Sequence, residues 1–172
     1  MYVDADFAST WHKEFSHLHD CVLSRTGFVI LYHNCLIHWG SKLQSEIALR
    51  TTEAEYIALS MAAQELIPIH RVLLELIRHS PLQSVTTHPT GKLPPSIIYE
   101  DNASCIVLAT KDSHFKPRTK HISLKYHHLK DYIRSGAIKI IKVPTASNLA
   151  DIFTKPLTQT LHDRLHKGMM GW

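Results

Sequence analysis

An α/β domain is expected from this 172-residue chain, with one five-stranded mixed sheet whose first three strands are antiparallel and whose later ones are parallel, and with helices on both faces. Two observations predict it. Three short β-rich runs follow one another at the N-terminus before any helical periodicity begins. After a long helical pattern, strands then alternate with helices, giving the order βββαβααβα. A third observation concerns one edge of that sheet: Asp4, Glu55, Asp101 and Asp151 stand in four separate islands of sequence, at predicted strand ends and helix starts.

Residues 1–6 read as the first strand, with only three residues ahead of Asp4, so the single domain expected over 1–172 looks truncated at strand 1. Residues 8–23 are polar and His-rich and read as a loop. Ser24–His33 alternates and carries Phe28-Val-Ile-Leu-Tyr32, and after a His33-Asn34 turn Cys35–Ser41 returns as the third strand. From Thr52 to about Ile77, Tyr56, Leu59, Ala63, Leu66, Ile67, Leu73, Leu74 and Ile77 recur at helical spacing. Pro68 lacks an amide donor and is expected to kink or split that helix. Residues 80–95 are turn formers and small polar residues without periodicity, read as a flexible surface loop. Ser96–Glu100 is a short strand, Asn102–Thr110 a helix, Leu124–Arg134 a second helix stopped near Gly136, and Ala137–Val143 a strand. Asn148–Phe153 opens a last helix that Pro156 interrupts, leaving 156–172 as a C-terminal tail in which Gln159–Lys167 resumes it.

A hydrophobic content of 44% with 20% charged residues is typical of globular domains, and no continuous apolar run approaches the roughly eighteen residues of a membrane span. The N-terminal residues lack the basic and apolar regions of a signal peptide. Cys21, Cys35 and Cys105 are too few and scattered for a disulfide framework, so a reducing, intracellular setting is expected. The net charge of +4 is unevenly spread: residues 111–142 carry 9 Lys/Arg against 2 Asp/Glu, while residues 1–110 carry 7 against 11. That basic stretch, interleaved with histidines and Tyr126, suits a phosphate backbone, although a solvated helix face has the same composition.

In the expected sheet Asp4 ends the first strand and Asp101 the fourth. If these strands are parallel neighbours, both carboxylates leave at the carboxyl edge, where open α/β sheets bind ligands. Glu55, in the first turn of the long helix, and Asp151, early in the last one, then complete a set of hard oxygen donors. Mg²⁺ prefers such donors, and a pair of ions can stabilise both the attacking and the leaving oxygen in phosphodiester cleavage. Each acid also has a purely structural explanation. Thr52 and Glu55 fit a capping box, Asp151 gains from a helix dipole, and Asp101-Asn102 can cap the next helix. Joint placement is what favours a site over four separate caps.

The motifs Asp4-Ala-Asp6-Phe7-Ala8, Arg25-Thr26-Gly27, Ile37-His-Trp39-Gly-Ser-Lys42, Thr51-Thr-Glu-Ala-Glu-Tyr-Ile-Ala58, Tyr99-Glu-Asp-Asn102, Arg118-Thr-Lys-His-Ile122, Tyr126-His127, Val143-Pro-Thr145 and Leu149-Ala-Asp-Ile-Phe-Thr-Lys-Pro-Leu157 run the length of the chain. In this order they resemble the RNase H domain of copia-type retrotransposon polyproteins. The resemblance implies an RNase H-like fold, with Asp4, Glu55, Asp101 and Asp151 catalytic and holding two Mg²⁺ ions, or Mn²⁺ in their place. It further implies hydrolysis of the RNA strand of an RNA–DNA hybrid, a reverse transcriptase domain in the parent polyprotein, and no membrane. A cytoplasmic particle or the nucleus is the implied location.

Glu55 is preferred to Glu53 because Glu55-Tyr-Ile-Ala58 matches the family's Glu-x-x-Ala pattern. Asp6 and Glu100 are auxiliary candidates, alternation turning Glu100 from the face that carries Asp101. Lys116, Arg118, Lys120 and His121, with Asn102, are the candidates for gripping nucleic acid. Val143–Asn148 holds no counterpart of the mobile histidine of cellular RNases H. The alternatives are a decayed copy that binds nucleic acid without cutting it and, less favoured, an integrase or transposase, whose pattern lacks a glutamate on the helix after the third strand. His17, His19 and Cys21 match no standard zinc spacing.

Overall fold

The computed structural model describes residues 1–8, 11, 13–15, 17, 19–79, 94–110 and 128–171. Strand β1 (Tyr2–Asp6) sets up the layers by simple alternation: Val3 and Ala5 enter one hydrophobic core, while Tyr2 and Asp4 face the opposite side. Strand β2 (Arg25–Tyr32) runs antiparallel to it. His33 and Asn34, with φ of 49° and 61°, make the two-residue turn whose twist suits a hairpin, and β3 (Cys35–Leu43) returns along β2, two residues further than Ser41. Strands β4 (Ser96–Glu100) and β5 (Ile138–Lys142) are parallel, and the sheet order is β3-β2-β1-β4-β5. The five-stranded mixed sheet expected from the sequence is the one that forms.

Helix α1 (Thr51–His79) lies on the Val3/Ala5 face. Ala54, Ala58 and Ala62, each fully buried at four-residue spacing, form a smooth stripe that lets the helix approach the strands closely, and Tyr56, Ile57, Leu59 and Leu66 fill the flanks. The expected split at Pro68 does not occur; the helix is unbroken from Thr51 to His79. Pro68 and Gln64, whose carbonyl loses its partner, are both exposed, so water can satisfy that carbonyl. By length and composition Thr51–Leu76 would suffice to cross a bilayer, but in this fold it is the helix on which the core is built.

Helix α2 (Ala103–Thr110) and helix α3 (residues 128–134) add Cys105, Ala109 and Leu129 to the same core. The opposite face is covered by a 3-10 helix (Leu149–Phe153) and by α4 (Gln159–Met170), where Leu149, Leu165 and Met169 pack on Val29. The helix expected to begin at Asn148 is thus a separate 3-10 turn, because Pro156 lacks the amide needed to carry it into α4. The 80–95 segment, apart from residues 94 and 95, and the basic 111–127 segment lie outside the described residues.

Gly27 controls how closely the 3-10 helix seats on the sheet. It stands opposite Asp4 in the β1–β2 register, and a Cβ there would come within 2.5 Å of Thr154 Cγ2, 2.9 Å of Phe153 Cβ and 3.1 Å of the Ala150 carbonyl. Ser41 Oγ donates to the Phe153 carbonyl at 2.6 Å and holds the same contact from the next strand. Gly27→Ala is therefore expected to lower stability by about 2 kcal/mol or more, as overpacking does. Denaturant unfolding measures it, and a midpoint unchanged from the parent chain would contradict this seating.

Candidate active site

Parallel pairing between β1 and β4 is seen at Tyr2 opposite Tyr99, whose rings stack at 4.6 Å. Beyond that point the β1 backbone is satisfied by side chains instead of by β4. The Val3 carbonyl accepts from Asn148 Nδ2 at 2.8 Å, and the Ala5 amide donates to Glu55 Oε2 at 2.8 Å. The two central strands part at the point where strand order reverses, which is where open α/β sheets place ligands. The groups that close the gap also carry the site: Asn148 accepts from the Ala150 amide and caps the 3-10 helix that bears Asp151.

All four predicted acids converge on this opening. Carboxylate oxygens of Asp4, Asp101 and Asp151 lie within 4.8 Å of one another, and so do those of Glu55, Glu100 and Asp101, with Asp101 common to both groups. Among the described residues these are the groups of His, Cys, Asp and Glu close enough to share an ion. Asp4 is not the end of its strand as expected but its middle residue, and it is fully buried. Asp101 follows directly on β4. Asp6, the other auxiliary candidate, belongs to neither group.

The capping explanation of Glu55 fails. Glu53, in the first turn of α1, accepts from the Leu49 amide at 2.8 Å, while Glu55, two residues further in, points at β1. For Asn102 the cap is real: its Oδ1 accepts from the Ser104 and Cys105 amides at 3.0 Å each.

Over 154 residues, or 90% of its length, the chain is 35% identical to the retrovirus-related Pol polyprotein from transposon TNT 1-94 of Nicotiana tabacum. It is 32% identical over 160 residues to that from transposon RE1 of Arabidopsis thaliana. It spans about a tenth of the length of these curated relatives. Among solved structures, LC11-RNase H1, isolated from compost by a metagenomic approach, superposes with a TM-score of 0.54 at 17% identity, covering 89% of each chain. The same enzyme in complex with an RNA/DNA hybrid gives 0.51 at 15% identity, covering 89% of this chain and 91% of that one. No protein-family model matches the chain.

The chain has the RNase H fold and is a relative of plant retrotransposon Pol polyproteins. In this RNase H fold the acids carry more negative charge than a buried pocket tolerates. Burial first, and then the neighbouring Glu100, Asp4 and Asp101 carboxylates, push the Glu55 carboxyl up to about 10. Burial likewise raises Glu100 to about 8, against the pull of the Asn102 amide on its Oε1 at 3.0 Å, and burial together with Asp4 raises Asp151 to about 6.

Lys155 partly balances that charge. Its Nζ donates to Asp4 Oδ1 at 2.8 Å and to Asp151 Oδ1 at 3.2 Å, and the Thr154 hydroxyl donates to Asp4 Oδ2. Burial acts to lower the ammonium, but the two carboxylates hold it above the ordinary lysine value. The donor set fits a hard divalent cation: every member is a carboxylate oxygen, and Glu100 Oε2 is buried and takes no hydrogen bond from the described residues.

Glu100 is an auxiliary candidate in the sequence and joins the site, whereas Asn148, Thr154 and Lys155 carry no sequence assignment to it. Alternation does set Glu100 and Asp101 on opposite faces, but at the last residue of a strand this does not separate their carboxylates. The Asp151-x-x-x-Lys155 spacing was a readable signal, since residues four apart meet on a helical turn. Lys116, Arg118, Lys120 and His121 lie outside the described residues.

Proposed function

We propose that the chain is the ribonuclease H of a copia-type retrotransposon, cutting the RNA strand of RNA–DNA hybrids with two Mg²⁺ ions, or Mn²⁺ in their place. The observation that carries the reading is the meeting of Asp4, Glu55, Asp101 and Asp151 where β1 and β4 part, from four elements distant in sequence. Kinship with Pol polyproteins supports it, and so does the shared fold with an enzyme solved on an RNA/DNA hybrid. In this reading Asp4, Asp101 and Asp151 would hold one ion, and Glu55, Glu100 and Asp101 the other. When bound, such ions supply a more acidic attacking water and stabilise the leaving 3′ oxygen.

The protein's own part is to position and to exclude. The Ala5 amide fixes Glu55, Asn148 ties the Asp151 turn to β1, and the buried walls around Asp4 keep bulk water from competing for its oxygens. Lys116, Arg118, Lys120 and His121, with Asn102, grip the backbone of the hybrid, and selectivity for RNA comes from contacts to 2′-hydroxyls. A reverse transcriptase domain in the parent polyprotein is the partner, working in a cytoplasmic particle or the nucleus.

Cleavage of a labelled hybrid by the purified chain, with Mg²⁺ and with EDTA, tests the activity; binding without cutting would leave the interface standing and remove the enzyme. The interface has a test of its own. Reversing charge at Arg118 and Lys120 together is expected to weaken hybrid binding and to reduce the slope of log affinity against log salt by about 2, one phosphate contact for each. Unchanged affinity with an unchanged slope would place the nucleic acid elsewhere.

A further inference from the structure

We propose that Lys155 is a tethered counter-cation that holds the site together when no metal is present and leaves Asp4 and Asp151 when a divalent ion binds, so that metal loading is an exchange of cations. The inference rests on the metal-dependent reading above and concerns what occupies the site before loading. Its basis is geometric. Asp4 and Asp151 have 0% and 4% exposed side chains, and one ammonium spans them, at 2.8 Å from the first and 3.2 Å from the second. The other oxygen of Asp4 accepts from Thr154, so both of its oxygens are already engaged.

A divalent ion taking the second lone pair of Asp4 Oδ1 brings two positive charges together inside a largely buried site, and their repulsion there favours release of the ammonium. Exchange requires little of the fold. The lysine side chain is 30% exposed while its partners are not, which places its stem at the mouth of the site. A four-carbon stem can swing the ammonium into water without moving the backbone. Glu55 and Glu100 lie on the α1 side of Asp101, and their hydrogen bonds run to the Ala5 and Asn102 amides and not to Lys155. The exchange therefore concerns the Asp4–Asp151 half of the site.

The 172-residue chain stripped of metal, with and without Lys155→Met, provides the test, read by calorimetric titration with Mg²⁺ and by thermal melting in EDTA. The variant is expected to bind Mg²⁺ about tenfold more tightly, equivalent to about 1.4 kcal/mol. Without metal it is expected to melt about 5 °C lower, having lost two charge-assisted hydrogen bonds. Equal affinities together with equal metal-free melting would overturn the exchange while leaving the metal site intact. Mg²⁺ binding to neither protein would remove the metal-dependent reading itself, and the exchange with it. In the unmodified chain, the Lys155 ¹⁵Nζ resonance is expected to be protected from solvent exchange in EDTA and to lose that protection at saturating Mg²⁺. Protection retained at saturation would refute the proposal without recourse to a variant.

Discussion

Asp101→Asn is expected to lower the rate of hybrid cleavage in Mg²⁺ by about a thousandfold, the rate equivalent of the roughly 4 kcal/mol that metal-ion charge stabilisation supplies to such a reaction. The effect should exceed that of any other single acid because Asp101 alone belongs to both carboxylate groups, so one substitution weakens both halves of the site. The asparagine keeps the shape and removes a negative charge from a pocket crowded with them. Metal-free stability should therefore hold or rise, and the melting temperature in EDTA shows that activity was not lost through unfolding. Equal cutting by parent and variant would end the catalytic assignment. Loss of cutting accompanied by a collapsed fold would transfer the role of Asp101 from chemistry to structure.

In EDTA the protein is expected to lose stability between pH 5 and pH 8, opposite to the usual behaviour of paired carboxylates. Glu55, Glu100 and Asp151 have their folded values pushed up to about 10, 8 and 6 by burial first and then by neighbouring carboxylates, Asp4 and Asp101 common to all three. A raised carboxyl keeps its proton in the fold after the unfolded chain has released it. Its contribution is complete below the unfolded value near 4 and is lost as pH climbs towards the folded value. One proton retained across the interval from pH 5 to 8 is worth about 4 kcal/mol. Lys155, held above its ordinary value, stays charged throughout and does not enter. Saturating Mg²⁺ should flatten the profile, because ions that bind the charged carboxylates stabilise the fold most where those groups must ionise. Denaturant melts at both pH values check this, and equal stability in EDTA would show that the carboxylates do not repel as their burial implies.

Much of the fold could be read from periodicity, since alternation and helical spacing report which face of each element is buried. Ser24–His33 and Cys35–Ser41 fall within two residues of β2 and β3, and the pattern from Thr52 is α1. Pro68 misled because its cost depends on whether water reaches the Gln64 carbonyl, a fact of tertiary exposure. At Asn148–Phe153 the pattern was helical but too short to distinguish an α-turn from a 3-10 turn.

Residue identity and order alone determined which carboxylates could matter and that a mixed sheet would bring them to one edge. The Glu55-Tyr-Ile-Ala58 pattern already prefers Glu55 to Glu53, but that Glu100 and Lys155 stand among the acids was decided by tertiary structure. The reason is that side-chain direction follows local geometry, whereas proximity across a gap between parting strands depends on backbone groups left unpaired, and the chain satisfies those with residues 50 and 145 positions away.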